Sequence, residues 1–219
     1  MQIILFIVLG FLAYLIGSIP TAVWYGKAFH KIDVREFGSK NAGATNTFRV
    51  LGRKAGLFVF FIDVFKGWTA TLLGNILYLD DRIWDYEVAE FKILYGCLAV
   101  VGHILPIFTG FKGGKGVATS LGLGLCMFPA VALICLGLFF IILAISHYVS
   151  LGSIIATLAF PLLMFTHWFR PHDYLLIVFG FCAFALVLYT HRKNIIRLIN
   201  GEENKIYLIP QNEKNNSVK

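Results

Sequence analysis

Long apolar runs without charge determine what this chain can fold into. The first, from Ile3 to Tyr25, contains no charged residue, and about 20 apolar residues suffice for a helix to cross a bilayer. Because the run lacks a basic start and a small-residue cleavage site, we interpret it as a retained helix rather than a secretory signal. With 58% hydrophobic and 14% charged residues, the chain reads as an all-α, polytopic membrane protein. Further predicted spans are Ala55 to Leu79, which contains Asp63 and Lys66, and the uncharged runs Ile93 to Thr109, Tyr148 to Thr166 and Tyr174 to Thr190.

The stretch from Val117 to Ser146 decides the number of spans. Its 30 uncharged residues would form a helix of about 45 Å, which is too long for one crossing. Divided at Pro129, the stretch gives a short helix and an ordinary one. The choice lies between six and seven spans.

The distribution of Lys and Arg favours seven spans. Seven spans place seven of these residues from 26 to 54, two from 110 to 116 and six after His191 on one side, against Arg82, Lys92 and Arg170 on the other. Six spans give 10 against 8. Because positive residues concentrate in the cytoplasm, we predict seven transmembrane helices with the N-terminus outside and the C-terminus cytoplasmic. Four polar segments then converge on the cytoplasmic face.

One of these segments is rich in glycine and lysine. Residues 109–120 read TGFKGGKGVATS. Glycines let backbone N–H groups close around an anion, Lys115 supplies a compact positive charge, and a following helix would direct its positive dipole end at the same point. The segment is not a nucleotide P-loop, because Thr109 stands where Gly is required and Gly116 follows the lysine. We predict a phosphate site at a membrane surface.

A second segment, FGSKNAGATNTFR from Phe37 to Arg49, combines turn-forming glycines with short polar side chains. A surface turn is one interpretation. A phosphate contact is the other, because the segment lies between two predicted membrane helices and ends in Arg49, which suits bidentate binding of phosphate. Ser39 is a nucleophile, an orienting donor or neither, since the sequence shows no base beside it.

Two more polar segments follow later in the chain. In HYVSLGS, Ser150 and Ser153 are helix N-caps or phosphate ligands, and the sequence leaves both open. In THRKNIIRLINGEE, helical spacing places His191, Asn194 and Arg197 on one face. That face either contacts lipid headgroups through its basic residues or forms part of a phosphate site.

Charged and titratable residues also occur inside the predicted spans. Asp63 and Lys66 are three residues apart, a spacing that favours an intrahelical pair over catalysis. For His103, which lies in an apolar run, a supporting hydrogen bond is a better interpretation than a catalytic role. The four cysteines show no C-x-x-C spacing and are interpreted as packing thiols.

Together these segments resemble the integral-membrane acyl-phosphate:glycerol-3-phosphate acyltransferases, the bacterial PlsY family. The resemblance covers most of the chain and lies in separate motifs in order: GSIPTA (17–22), GSKNAGATNTFRVLG (38–52), GHILPIFTGFKGGKGVAT (102–119) and HRKNIIRLINGEE (191–203). Lys40 and Ala42 depart from the family, which more often has Gly and Pro there, but they lie beside the polar donors.

The resemblance implies an enzyme that transfers a fatty acyl group from acyl phosphate to the 1-hydroxyl of glycerol 3-phosphate, giving lysophosphatidic acid and phosphate. It implies no cofactor, a bacterial inner-membrane location with the active site facing the cytoplasm, and no nucleic-acid partner. No metal ligand is assigned, because the sequence has no carboxylate cluster with ligand spacing; metal dependence and the oligomeric state stay open. By similarity the catalytic residues are Ser39, Arg49, Lys115, His191 and Asn194, and the phosphate-binding residues are Gly43, Thr45, Asn46, Gly113, Gly114, Gly116, Ser150 and Ser153.

Acyl phosphate is already activated, so we expect direct attack without an acyl-enzyme intermediate. We predict a single membrane domain over residues 1–201 and a polar tail over 202–219. The alternatives are an organophosphate anion transporter and a non-catalytic lipid-binding scaffold.

Overall fold

The computed structural model describes residues 2–79, 85–171 and 174–207, and all regular secondary structure in these ranges is helical. The chain divides into two compact units, residues 1–132 and 133–219. The first contains α1 (Gln2–Ser18), α2 (Thr21–His30), α3 (Ala44–Leu51), α4 (Arg53–Leu72), α5 (Asp85–Ile104) and α6 (Val117–Met127). The division falls within α7 (Pro129–Ser146), and α8 (Val149–Met164), α9 (Leu175–Thr190) and α10 (Arg192–Ile199) follow. Short 3-10 turns lie at Val34–Glu36, Leu73–Leu79 and Ile107–Thr109.

Three helices in the described ranges are long and apolar enough to cross a membrane, or up to five if each of two bent pairs forms one span. The three are Arg53–Leu77, Val88–Thr109 and Pro129–Ser146. The bent pairs are α1 with α2, at 43°, and α9 with α10, at 64°. Arg82 and residues 208–219, used in the charge count, lie outside the described residues.

The first apolar run is broken where the sequence analysis treated it as continuous. Pro20 has no backbone N–H and cannot continue the hydrogen-bond ladder of α1. Instead the Thr21 N–H donates to the Ile19 carbonyl at 3.0 Å. The chain therefore leaves α1 and re-enters a helix at Thr21 with a bend.

The helices of the first unit approach one another through glycines. A Cβ on Gly67 of α4 would lie 2.1 Å from the Thr119 carbonyl oxygen of α6, and one on Gly122 of α6 would lie 2.0 Å from the Val64 carbonyl oxygen. A Cβ on Gly17 of α1 would likewise lie 2.0 Å from the Ala99 carbonyl oxygen of α5. Membrane helices pack through small residues in this way, because apolar lipid gives no hydrophobic drive for helix association.

The long uncharged stretch divides as predicted at Pro129. α6 ends at Met127, the Phe128 N–H donates to the Gly124 carbonyl, and α7 begins at Pro129. The predicted pair of helices, one short and one ordinary, is confirmed.

In the second unit, the chain folds back after α10. The Ile206 N–H donates to the His147 carbonyl at 2.8 Å, and the rings of Tyr207 and His147 are 4.6 Å apart. The segment from 202 to 207 therefore lies against the turn that precedes α8. This contact unites two of the polar segments that the sequence analysis treated separately. The prediction of one domain over 1–201 stays a prediction.

Candidate active site

Asn46 organises the first polar segment. Its Oδ1 accepts hydrogen bonds from the Ser39 N–H at 2.8 Å and the Ser39 hydroxyl at 3.1 Å. Its amide donates to the carbonyls of Val34, at 2.7 Å, and Phe37, at 3.2 Å. These four bonds use the full capacity of a carboxamide, and the side chain is buried. Asn46 therefore fixes the path of the loop and the orientation of Ser39.

The same loop leads into α3, which carries Arg49. Gly43 caps this helix, and its carbonyl accepts from the N–H groups of Asn46 and Thr47. Thr45 lies half-buried in the first turn, and Arg49 lies half-buried one turn after Asn46. Arg49 thus lies on the helix that directly follows the Ser39 loop, a helix that the sequence analysis did not predict.

Arg35 links this loop to the second motif, a role that the sequence analysis did not assign. One of its terminal nitrogens, Nη1, donates to the Thr109 carbonyl at 3.0 Å. Its Nε and Nη2 donate to the two carboxylate oxygens of Asp33 at 3.0 and 2.7 Å. These hydrogen bonds from Arg35 lower the pKa of Asp33 to about 2, although partial burial opposes the shift.

The glycine-rich turn rests on the C-terminal end of α5. The Gly113 N–H donates to the Ile104 carbonyl at 3.2 Å, and the Gly114 N–H donates to the His103 carbonyl at 3.0 Å. These carbonyls have no partner within the helix that they end. A Cβ on Gly113 would lie 2.1 Å from the His103 carbonyl oxygen, and one on Gly114 would lie 2.0 Å from His103 Nε2. Neither position accepts a side chain without a shift in its surroundings.

Lys115 follows at the entrance to α6. Gly116 caps this helix with φ of +85°, a left-handed conformation that favours glycine. Lys115 is half-buried immediately before this cap, where the positive end of the helix dipole adds to its own charge. The N–H groups of Gly113 and Gly114 are used by the α5 carbonyls rather than left for an anion, and phosphate binding by this turn stays a prediction.

In the second unit, Glu203 accepts hydrogen bonds from side chains of two helices, α8 and α10. Its Oε1 accepts from the Ser150 hydroxyl at 3.0 Å and the Asn194 amide at 2.7 Å, and its Oε2 accepts from Arg197 Nε at 2.8 Å. Burial raises the pKa of this carboxyl, but the three hydrogen bonds outweigh burial and hold the pKa below its usual value. The sequence analysis placed Glu203 in a motif without giving it a role. Its only signal was an acidic residue at the end of a basic helix.

His191 lies at the bend between α9 and α10. Its Nδ1 is 2.9 Å from the Val187 carbonyl oxygen, and the side chain is buried. A carbonyl only accepts, so Nδ1 carries the proton in the neutral ring and Nε2 carries the lone pair. Ser153, by contrast, donates to the Val149 carbonyl of its own helix at 2.8 Å.

Within each unit the structure thus brings predicted residues together. In the first unit, Ser39 and Asn46 are bonded, and their loop is tied to Thr109 ahead of the glycine-rich turn. In the second, Ser150 and Asn194 meet on Glu203. Among the described residues, no group of three His, Cys, Asp or Glu side chains is placed to hold a metal ion. The substrate contacts of the thirteen named residues stay predictions.

Comparisons with known proteins agree on one family. The profile described as Glycerol-3-phosphate acyltransferase matches residues 7–201. A protein of Listeria welshimeri named glycerol-3-phosphate acyltransferase is 47% identical over 202 residues, covering 91% of this chain and 96% of the relative. One of Chlorobaculum tepidum with the same name is 42% identical over 223 residues, covering 92% and 96%.

Solved structures show the same likeness. One is the crystal structure of PlsY (YgiH), described as an integral membrane glycerol 3-phosphate acyltransferase, in its glycerol 3-phosphate form. It matches with a TM-score of 0.78 and 35% identity, covering 92% of this chain and 96% of that one. The lysophosphatidic acid form of PlsY matches with the same TM-score and identity.

Proposed function

Since the chain belongs to the glycerol-3-phosphate acyltransferase family, we propose that it transfers a fatty acyl group from acyl phosphate to the 1-hydroxyl of glycerol 3-phosphate. The products are lysophosphatidic acid and inorganic phosphate. The observation that carries this proposal is the match of the family profile to residues 7–201, which include the first three polar segments and all but the last two residues of the fourth. The transporter alternative is not favoured by these relatives.

The reaction needs little beyond alignment and charge. The hydroxyl oxygen of glycerol 3-phosphate attacks the acyl carbon, and the bond from that carbon to the phosphate oxygen breaks. Phosphate leaves with the bonding electrons, and the hydroxyl proton passes to the leaving phosphate or to His191. Because the neutral His191 ring carries its lone pair on Nε2, this atom is the one suited to accept the proton.

Two cations of the first unit suit the phosphate groups. Lys115 provides a point charge at the N-terminus of α6, and Arg49 provides a planar fork for two phosphate oxygens. Gly113 and Gly114 shape the turn through their bonds to α5 carbonyls, and Gly116 caps α6 next to Lys115. In the second unit, Asn194 is oriented by its bond to Glu203.

Ser39 serves as an orienting group in this scheme. Its hydroxyl donates to Asn46 Oδ1 at 3.1 Å, and an amide oxygen is too weak a base to activate a serine. We therefore propose direct transfer between substrates. Incubation with radiolabelled acyl phosphate and no acceptor tests this, because covalent label on Ser39 would contradict direct transfer.

The proposed placement is the bacterial inner membrane, with seven spans and the site on the cytoplasmic side. The three long helices, the two bent pairs and the shorter apolar helices Val117–Met127 and Val149–Met164 together make seven apolar segments. In this placement the apolar tail of acyl phosphate lies among the tails of membrane lipid, and the cationic segments contact the phosphate groups of the substrates.

The deciding experiment gives purified protein both substrates. Steady phosphate release that requires acyl phosphate and glycerol 3-phosphate together supports the enzyme. Uptake of glycerol 3-phosphate into liposomes without phosphate release would support transport and contradict the proposal.

Substitution of the two cations tests the assignment of the phosphate contacts. We expect Lys115→Ala and Arg49→Ala each to lower kcat/KM by at least about 100-fold, because each removes a charge that acts on phosphate. Both proteins should retain the unfolding temperature of the unsubstituted chain within a few degrees. Lys112→Ala, at an exposed position in the same segment, is the matched control and should retain activity. Near-normal turnover in both variants would refute the assignment.

A further inference from the structure

Three ionisable side chains lie buried together inside the apolar helices of the first unit. Lys66 Nζ and Asp63 Oδ1 are 2.9 Å apart on α4, and His103 Nδ1 of α5 lies 3.6 Å from the same carboxylate oxygen. Their side chains are 4%, 2% and 6% exposed. Both helices are among the three of membrane-spanning length. Ionisable groups are costly at such positions and are kept where they serve a purpose.

The cluster also satisfies the break between α1 and α2. Lys66 Nζ donates to the Ile19 carbonyl at 3.0 Å, and the Thr21 hydroxyl donates to Asp63 Oδ1 at 3.3 Å. The Nζ of Lys66 thus lies between the backbone carbonyl of the break and the Asp63 carboxylate. The carboxylate has a fixed position from which to hold the His103 ring.

The opposite edge of that ring faces the glycine-rich turn. A Cβ on Gly114 would lie 2.0, 2.8 and 3.0 Å from three atoms, Nε2, Cε1 and Cδ2, all in the His103 imidazole. The backbone of Gly114 also donates to the His103 carbonyl. Side chain and backbone of His103 therefore both set the position of Gly114, immediately before Lys115.

We infer that Asp63, Lys66 and His103 are positioning residues that set the geometry of the phosphate-binding turn. Asp63 orients the His103 imidazole through its Nδ1 edge. Lys66 neutralises the charge of the Asp63 carboxylate and ties it to the break after α1, and the opposite edge of the ring packs against Gly114. None of the three touches substrate in this scheme. The inference rests on the proposed function for its kinetic readout and on phosphate binding for an independent one.

A double-substitution cycle tests the contact between His103 and Gly114. Gly114→Ala should raise the KM for glycerol 3-phosphate and lower kcat/KM by about 100-fold, the size expected of a misplacement near 1 Å. His103→Asn keeps an N–H donor near the place of Nδ1 and removes the far edge of the ring. Added to Gly114→Ala, it should recover at least about tenfold of the lost kcat/KM, because the added methyl group then has room.

Gly113→Ala is the matched control. Its Cβ would strike the backbone carbonyl of His103 rather than the ring, so His103→Asn should not restore it. Equal recovery of both glycine variants, or recovery of neither, would overturn the inference. A merely structural role would lower the active fraction and hence kcat, and would leave KM unchanged.

A second pair of variants tests Asp63 without leaving a lone buried charge. Asp63→Asn with Lys66→Met keeps an oxygen facing His103 and removes both charges, whereas Asp63→Leu with Lys66→Met removes the oxygen as well. We expect a KM within about threefold of the unsubstituted value for the first and about tenfold higher for the second, since only the second frees the ring. Equal KM values in the two would contradict the role of Asp63.

Binding of inorganic phosphate, measured by titration calorimetry on the same detergent-purified proteins, separates the two proposals. One outcome is that the unsubstituted chain shows no acyltransfer, yet adding His103→Asn to Gly114→Ala restores the affinity for phosphate. That outcome would support the inference and refute the proposed function. The other outcome is that the unsubstituted chain shows normal acyltransfer, but the losses of phosphate affinity caused by Gly114→Ala and His103→Asn simply add. That outcome would support the proposed function and refute the inference.

Discussion

Glu203 is a buried carboxylate that joins α8, α10 and the segment after α10 within the second unit. Glu203→Gln should lower the stability by about 2 kcal/mol, because it replaces a charge that accepts three hydrogen bonds and leaves Arg197 without its partner. The loss is measured as a fall in Tm in detergent. Glu202→Gln, at the exposed neighbouring position, is the control and should leave Tm within about a degree.

The stability of the unsubstituted chain and that of Glu203→Gln should depend on pH in different ways. The folded pKa of Glu203 is lowered, so its contribution is complete above the unfolded value of about 4.3 and is lost as pH falls through the folded pKa. Glu203→Gln should show a flatter decline of Tm below about pH 5 than the unsubstituted chain. Parallel declines would show that Glu203 is not the titrating group.

Asp33 gives a second residue-scale prediction, in the first unit. Its pKa of about 2, set chiefly by hydrogen bonds from Arg35, makes its contribution complete above about pH 4 and lost as pH falls toward 2. Asp33→Asn should cost about 1 kcal/mol at pH 7, allowing for solvent screening at this loop, and the difference should shrink toward pH 2. Glu36→Gln, at an exposed position in the same loop, is the control in the same Tm series. A constant difference from pH 7 to pH 2 would contradict the assignment.

The sequence could nominate these residues but not their partners. Ser39 and Asn46 were both named from the motif, yet their hydrogen bonds depend on how the loop returns over seven residues. Arg35 and Glu203 entered the sequence analysis as charges without assigned roles. Each has a partner nearby in the chain, but the contacts that join separate segments reach Thr109 and Ser150, 74 and 53 residues away. Such distances are set by the packing of the helices and not by local pattern.

At the scale of helices, glycine contacts determine the distance between α4 and α6. Gly67→Ala should lower Tm by several degrees, because its Cβ would meet the Thr119 carbonyl at 2.1 Å and the helices must separate. Gly137→Ala is the matched control, since nothing lies within 4 Å of a Cβ at that exposed position of α7. Alanine there should be neutral or stabilise by up to about 1 kcal/mol. Equal effects of the two substitutions would show that close packing at Gly67 contributes nothing.

Helix positions were more predictable than helix bends. Composition alone located the apolar runs, and length alone required the break at Pro129, because 30 residues exceed the thickness of a bilayer. The bend between α9 and α10 has no proline or glycine at His191 to announce it. The break at Pro20 does have a proline, but it was missed because no charged residue lies from Ile3 to Tyr25, and the search for uncharged runs joined both sides of the break into one helix.

At the scale of the whole chain, the distribution of Lys and Arg makes a prediction about orientation that does not depend on any side-chain contact. The polar segments near 26–54, near 110–116 and after His191 carry 15 of the 19 Lys and Arg residues, and charges of this sign stay in the cytoplasm. Single cysteines at Lys112 and Lys193, both exposed, should therefore react with an impermeant maleimide only in inverted vesicles. A cysteine at Arg170, also exposed, should react in intact spheroplasts.

The three single-cysteine proteins are made in a background in which the four native cysteines are replaced, and activity confirms that each protein is folded. Labelling of Lys193→Cys from outside would favour six spans over seven, because the tail and Arg170 exchange sides in that topology, and it would remove the charge argument for a cytoplasmic site.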